Sequence, residues 1–122
     1  TDMGCLTDEV VNGLSGADTV LLEANHDPEM LRMGPYPAYL KMRILSERGH
    51  LSNPDCAQLA RILAEKGAQR IVLGHLSREN NRPELALETV RASLTGFSTE
   101  IYCAPADGML TLPVGKAALC YR

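Results

Sequence analysis

The residues of this sequence with the clearest chemical potential are its three histidines, each in a short segment that favours a loop. They are His26, His50 and His75, and each follows a glycine or an asparagine. Imidazole binds metal ions and transfers protons near neutral pH, and glycine lets the backbone approach a ligand closely. No H-E-x-x-H or H-x-H motif is present. The nearby carboxylates belong to Asp2, Glu23 and Asp27. These residue types indicate a metal site or an acid–base site, and a structural role for each histidine is the alternative.

Two of the histidines follow segments that are predicted to be buried strands. The apolar run Thr19–Ala24 ends just before His26, and the run Arg70–Leu73 leads directly to His75. A third strand is predicted at Glu100–Ala104. Because sites in parallel sheets form beyond the carboxyl ends of the strands, we expect these histidines to lie at one edge of the sheet.

Helices are predicted between these strands from capping residues and from the spacing of apolar residues. With their capping residues, the predicted helices are Thr7–Leu14, Asp27–Gly34, Pro37–Arg48, Asn53–Gly67 and Asn81–Leu94. Asn53 is expected to cap the fourth helix, and Asn81 with Glu84 has the spacing of a capping box for the fifth. Met109–Val114 and Ala117–Tyr121 favour edge strands. The alternation of strands and helices predicts an α/β fold in one domain, residues 1–122.

Composition narrows the class of protein. The chain has 122 residues, of which 45% are hydrophobic and 22% charged, with a formal net charge of −3. This balance is typical of a globular domain and argues against nonspecific wrapping of nucleic acid. Residues 32–48 nevertheless contain four basic residues and one acidic residue, a local net charge of +3. The segment favours either a phosphate-binding surface, with Lys41, Arg43 and Arg48, or a solvated helix face.

The chain shows no signal for secretion or for membrane insertion. Its longest apolar runs are far shorter than the roughly 20 residues that a membrane span requires. The four cysteines are widely spaced and form no C-x-x-C pair, which favours reduced thiols over a disulfide framework. The cytoplasm is therefore the expected compartment.

The order of four motifs resembles one family of the metallo-β-lactamase fold, the bacterial YycJ/WalJ/VicX group, and more distantly ribonuclease Z and ribonuclease J. The motifs are Thr1-Asp2-Met3-Gly4, Glu23-Ala24-Asn25-His26-Asp27, Arg48-Gly49-His50-Leu51-Ser52-Asn53 and Leu73-Gly74-His75-Leu76-Ser77-Arg78-Glu79-Asn80-Asn81. The resemblance spans nearly the whole chain, and its most specific parts are Arg48–Asn53 and Leu73–Asn81. It implies that the chain forms the C-terminal half, a βαβ-type layer, of the αββα sandwich.

The resemblance also implies roles for individual residues. Asp2 is similar to the aspartate that bridges two metal ions, and His75 to the last histidine ligand. Glu23 and His50 resemble a pair in which the glutamate orients a histidine that donates a proton to the leaving oxygen. His26 and Asp27 match the motif, either as supporting residues of the site or as a structural loop. Met3 departs from the threonine that is expected beside the aspartate.

The family's H-x-H-x-D-H signature and a further histidine ligand are absent from the chain, so the resemblance implies a site that these residues cannot complete. The complete protein is expected to use two divalent ions, zinc or manganese, to hydrolyse phosphodiesters, most favourably in DNA rather than RNA as an exonuclease. We expect the chain alone to hold no metal tightly. One alternative is a non-catalytic half-domain that assembles with its missing N-terminal half or with itself. Another is a hydrolase of a small substrate such as a lactone or thioester.

Overall fold

The fold is known from a computed structural model that describes residues 17–45, 50–104 and the backbone of 117–120. Its strands are β1 (Thr19–Glu23), β2 (Arg70–Gly74), β3 (Glu100–Cys103) and β4 (Ala117–Cys120). They form a sheet in the order β3-β2-β1-β4, and every pair in it is parallel. The predicted α/β class and these four strands are confirmed.

Four helices are present in the described part of the chain: α1 (Pro28–Met33), α2 (Ala38–Leu45), α3 (Asn53–Glu65) and α4 (Pro83–Ser93). Helix α3 joins β1 to β2 after two shorter helices, and α4 joins β2 to β3. These are the crossover connections that parallel strands require.

The core lies between the sheet and the pair formed by α3 and α4. Alternate residues of the two central strands are fully buried there, as period-two alternation predicts. The apolar stripe of α3 meets them with Leu59 and Leu63, and α4 adds Val90. Burial of large aliphatic side chains of this kind stabilises the layer by about 1.5–3 kcal/mol each.

The cap of α3 differs from the prediction that assigned it to Asn53. Ser52 has extended backbone angles, φ −74° and ψ 165°, and its hydroxyl accepts a hydrogen bond from the backbone N–H of Asp55 at 3.2 Å. Serine in this conformation satisfies an N–H group that has no partner within the helix. Asn53 is already helical, and its side chain is buried and bonded elsewhere.

The predicted capping box of α4 is also wrong. The N-cap residue is Arg82, which makes no capping bond with its side chain. Oδ1 of Asn81 accepts bonds from the adjacent backbone N–H of Arg82, at 2.9 Å, and from Nδ2 of Asn53, at 2.8 Å, because the amide of Asn81 is turned toward the core. Glu84 is exposed in the first turn.

The short helix α1 behaves as its capping residues predict. Asp27 has an extended backbone and accepts a bond from the N–H of Met30 at 2.9 Å, and the helix ends at Gly34. A side chain at Gly34 would place Cβ 2.9 Å from the carbonyl oxygen of Met30, which is closer than such atoms approach. Glycine is therefore required there by contact rather than by backbone angle.

Several predictions fall outside the described residues. They include the helix at Thr7–Leu14, the strand at Met109–Val114, and the last residues of the helix predicted to run to Arg48.

Cys56 lies buried in the core and Cys103 is half-buried, both as thiols. In the described part of the chain, no helix has the length and apolar character needed to cross a membrane.

Candidate metal and proton-transfer site

The sheet brings two of the three histidine loops together at its carboxyl edge. In the parallel pair of β1 and β2, Glu23 lies opposite Gly74, so His75 begins one residue beyond the last paired position. The third loop is joined to this edge by backbone hydrogen bonds. Asn25 donates its N–H to the carbonyl of Leu51 at 2.9 Å, and Asn53 donates to His26 at 2.8 Å.

The centre of the site is the carboxylate of Glu23, which is fully buried. One of its oxygens, Oε2, lies 2.8 Å from Nδ1 of His50 and 2.5 Å from Nδ1 of His75. The other, Oε1, accepts a hydrogen bond from the backbone N–H of Leu51 at 2.9 Å. Because a carboxylate only accepts, each ring must donate through Nδ1. A buried charge is tolerated when it is hydrogen-bonded in this way.

The two rings differ from Glu23 in their access to solvent. The side chain of His50 is 31% exposed and that of His75 is 37% exposed. Their ring centroids are 5.0 Å apart and their planes meet at 78°, an edge-on arrangement. The site is thus two solvent-reached imidazoles anchored on one buried carboxylate.

The backbone at His75 is strained. Its φ of 57° lies in the left-handed region, which residues other than glycine rarely adopt. Asn25 holds this peptide, because its Nδ2 donates to the carbonyl of His75 at 3.0 Å, and the N–H of Ser77 donates to the carbonyl of Asn25 at 2.7 Å. Strain of this kind persists only where surrounding contacts enforce it, and such positions cluster at functional sites.

His26 is close to the site but buried, with 1% of its surface exposed. Burial, which disfavours the charged ring, together with the charge of His50, lowers its pKa to about 4, although the carboxylates of Glu23 and Asp27 act in the opposite direction. Its Nδ1 lies 3.3 Å from Oδ1 of Asn25, and its Nε2 is buried without a hydrogen-bond partner among the described residues. His26 is thus neutral at neutral pH.

Among the described residues, the predicted site residues Asp27, Lys41 and Arg43 are not part of this cluster. Asp27 caps α1, as described above. On α2, Lys41 donates from Nζ to the carbonyl of Arg32 at 2.7 Å, and Arg43 is exposed. Asp2 and Arg48 lie outside the described residues, so their predicted roles stay predictions.

Reasoning from the sequence missed two features of the site. The contact between Glu23 and His75 was not foreseen, because only the Glu23–His50 pair was suggested by the resemblance. The buried asparagines Asn25, Asn53 and Asn81 were treated as loop or capping residues. A signal was available, since each of them lies within the same motif as one of the histidines.

The donor set fits a divalent metal ion. Glu23, His50 and His75 each offer a ligand atom, and these atoms lie within 4.8 Å of one another. Two imidazoles and one carboxylate form a known ligand set of catalytic zinc, and a carboxylate bonded to the far nitrogen of a histidine is the usual support of a histidine ligand. The chemistry of these residues is thus compatible with a metal bound by the rings, by Glu23, or by both.

Comparison with known proteins identifies similar sequences, although no family model matches the chain. It is 50% identical over 91 residues to the exodeoxyribonuclease WalJ of Streptococcus pneumoniae, in two strains. It is 43% identical over 90 residues to the exodeoxyribonuclease YycJ of Bacillus anthracis. Each match covers 74% of this chain and 34% of the relative. The chain therefore spans about a third of the length of the curated relatives it matches.

Proposed function

We propose that this chain, which is a YycJ/WalJ-like sequence, carries part of the active site of a metal-dependent exonuclease that hydrolyses DNA in the cytoplasm. The observation that supports the proposal most strongly is the convergence of His50 and His75 on the buried carboxylate of Glu23. The names of the relatives provide the substrate class.

In this proposal, His75 and Asp2 are metal ligands, and further ligands come from outside this chain. Two divalent ions, zinc or manganese, would supply Lewis-acid stabilisation of the negative charge that develops on the phosphate. With Nδ1 of His75 bonded to Glu23, the ring is oriented to bind through Nε2. The carboxylate fixes both the tautomer and the direction of the ring.

The proposed role of His50 is to donate a proton to the leaving oxygen of the phosphodiester. Its ring is partly exposed and therefore reachable by a substrate, and Glu23 restrains it through Nδ1. A general acid works efficiently only when it is held within hydrogen-bonding reach of the leaving group, and an orienting carboxylate provides that restraint. In this proposal, Glu23 orients two rings that have different roles.

In a second arrangement, Glu23, His50 and His75 all bind one ion directly, as the distances between their ligand atoms permit. Glu23 would then have to exchange its bonds to the two rings for a bond to the metal. The present hydrogen bonds favour the orienting role, because both carboxylate oxygens already accept N–H donors. Substitution of Glu23 separates the two arrangements, as described in the Discussion.

We also propose that the sheet is one layer of an αββα sandwich of the metallo-β-lactamase type. Helices α3 and α4 cover one face of the sheet, whereas Leu21 and Tyr102, which alternate with core positions, are only half-buried. The opposite face would pack against the second layer, from a further part of the protein or from a second copy. Lys41, Arg43 and Arg48 would contact the DNA backbone near the site.

The proposal is tested by the metal dependence of DNA hydrolysis in the full-length protein. We expect degradation of end-labelled linear DNA that stops on chelation and returns with zinc or manganese. The variant His75→Ala should lose bound metal together with activity, and Arg61→Ala, at the opposite end of the sheet, is the matched control. Hydrolysis that is unaffected by chelation, or activity only on lactones or thioesters, would overturn it.

A further inference from the structure

Two buried asparagines form a closed pair of hydrogen bonds behind the site. Asn53 is 0% exposed and Asn81 is 4% exposed. Nδ2 of Asn53 donates to Oδ1 of Asn81 at 2.8 Å, and Nδ2 of Asn81 donates to Oδ1 of Asn53 at 2.9 Å. Each amide therefore acts as donor and acceptor toward the other, an arrangement with one defined geometry.

The pair connects the three segments that carry the site. Asn53 lies three residues after His50, and Asn81 lies six residues after His75. Asn81 also donates through Nδ2 to the carbonyl of Ala24 at 2.8 Å, and Ala24 directly follows Glu23. The same two side chains thus tie the loops of both rings to the end of the strand that carries the carboxylate.

Helix capping does not explain these residues. Ser52 caps α3, and Arg82, the N-cap residue of α4, makes no capping bond with its side chain. An apolar pair of similar volume could fill the same space, but apolar contacts do not set direction. Directional bonds between buried amides specify a single relative placement of the segments that they join.

We propose that the Asn53–Asn81 pair is a positioning device that sets the placement of His50 and His75 around Glu23. Its consequence for metal binding rests on the proposed function, whereas its effect on ring geometry does not. The bonds of the pair run between the two amides and to the backbone of Ala24 and Arg82. The pair acts by fixing where the two loops leave the core.

The test uses the full-length protein with two substitutions, Asn53→Asp and Asn81→Ala. In Asn53→Asp, an oxygen replaces the donor that faces Oδ1 of Asn81, while a negative charge in the first turn of α3 supports the helix. The Nδ1–H resonances of His50 and His75 report the bonds to Glu23 in the absence of metal. Titration with zinc alone reports affinity. The control is Thr99→Val, which removes a hydrogen bond to the carbonyl of Ala68 far from the site.

We expect both asparagine variants to shift or lose the two ring resonances and to weaken zinc binding about 10–100-fold, as loss of outer support around a metal ligand typically does. The control should change neither. Unchanged resonances in a folded variant overturn the proposal, and so does unfolding of both variants, which would make the pair a stability element. If the wild-type protein binds no metal and degrades no DNA, the proposed function fails while the ring measurement still decides the positioning role.

Discussion

The two ends of the parallel sheet bury different kinds of groups. At the carboxyl end, Glu23, His26, Asn53 and Asn81 are almost completely buried. At the amino end, a cleft of about 330 Å³ is lined by small and polar residues between the end of α3 and the start of β3. The ion pair between Arg70 and Glu100 there is long, 3.9 Å.

The two ends therefore differ in how many polar groups they bury, and burial of polar groups has an energetic cost. A buried polar group destabilises the protein unless it is hydrogen-bonded, and a buried charge requires still more compensation. The carboxyl end provides most of that compensation through a connected set of side-chain and backbone bonds. At the amino end, the charged side chains of Arg70 and Glu100 keep 21% and 53% of their surface in contact with water. A polar network of this kind indicates a site rather than a requirement of folding.

The largest expected effect comes from replacing the two histidines at the carboxyl end one at a time. In the full-length protein, His50→Ala should lower kcat about 10²–10⁴-fold with its metal content intact, because it removes the proposed proton donor. His75→Ala should lower metal content, because it removes a proposed ligand. Metal analysis of both variants, together with turnover on DNA, checks this split. Equal loss of metal would show that His50 is also a ligand.

A smaller effect is expected from Glu23→Gln, which keeps the size of the side chain but introduces an N–H₂ group facing two ring donors. If Glu23 orients the rings, turnover should fall less than in His50→Ala, with most of the metal retained. If Glu23 is a direct ligand, metal content should fall as strongly as in His75→Ala. Metal stoichiometry at equal protein concentration decides between these outcomes.

Lowering the pH should destabilise the folded protein through protonation of His26, at the carboxyl end of the sheet. Its pKa is about 4 in the folded protein against 6.5 for an ordinary histidine, so the unfolded chain binds the proton more readily. The free energy of unfolding should therefore be highest above pH 6.5 and fall as the pH is lowered toward 4. At about 1.4 kcal/mol per pKa unit, this contribution should amount to about 3 kcal/mol.

Denaturant titrations across this pH range, on wild type and on His26→Gln, check the prediction. The groups facing His26 are His50, Glu23 and Asp27, and all of them remain in the variant. The variant should lose most of the slope between pH 4 and 6.5. An unchanged slope would assign the acid sensitivity to the other three groups.

The smallest effect is expected at the amino end. Arg61 is exposed, and it lies 5.2 Å from the ring centroid of the half-buried Phe97 and 3.5 Å from the exposed Glu65. Arg61→Ala should therefore change the free energy of unfolding by no more than about 1 kcal/mol and leave DNA hydrolysis unchanged. Loss of activity in this variant would show that the amino end of the sheet also contributes to DNA hydrolysis.

Much of the fold was predictable because the signals are local. The apolar run of β2 and the stripe of α3 reflect periodicities that span few residues, and Asp27 caps α1 as its type suggests. The resemblance to the YycJ/WalJ group was likewise readable from short motifs, and the identities to the relatives confirm it. The metallo-β-lactamase sandwich, the metal ions and the cytoplasmic location remain proposals.

In the described part of the chain, the sequence by itself determined which segments form strands and helices, and that the histidines follow them in loops. The tertiary structure alone decided which polar groups meet. His50 and His75 are 27 and 52 residues from Glu23. His75 reaches Glu23 because β1 and β2 pair in a register that places Glu23 opposite Gly74, and His50 reaches it because backbone hydrogen bonds join its loop to the segment that follows β1. Asn53 and Asn81 are a further example. Asparagine is a common helix-capping residue, but in this fold the two side chains bond to each other. A side-chain amide satisfies a helix end or a distant amide equally well, and only packing selects between them.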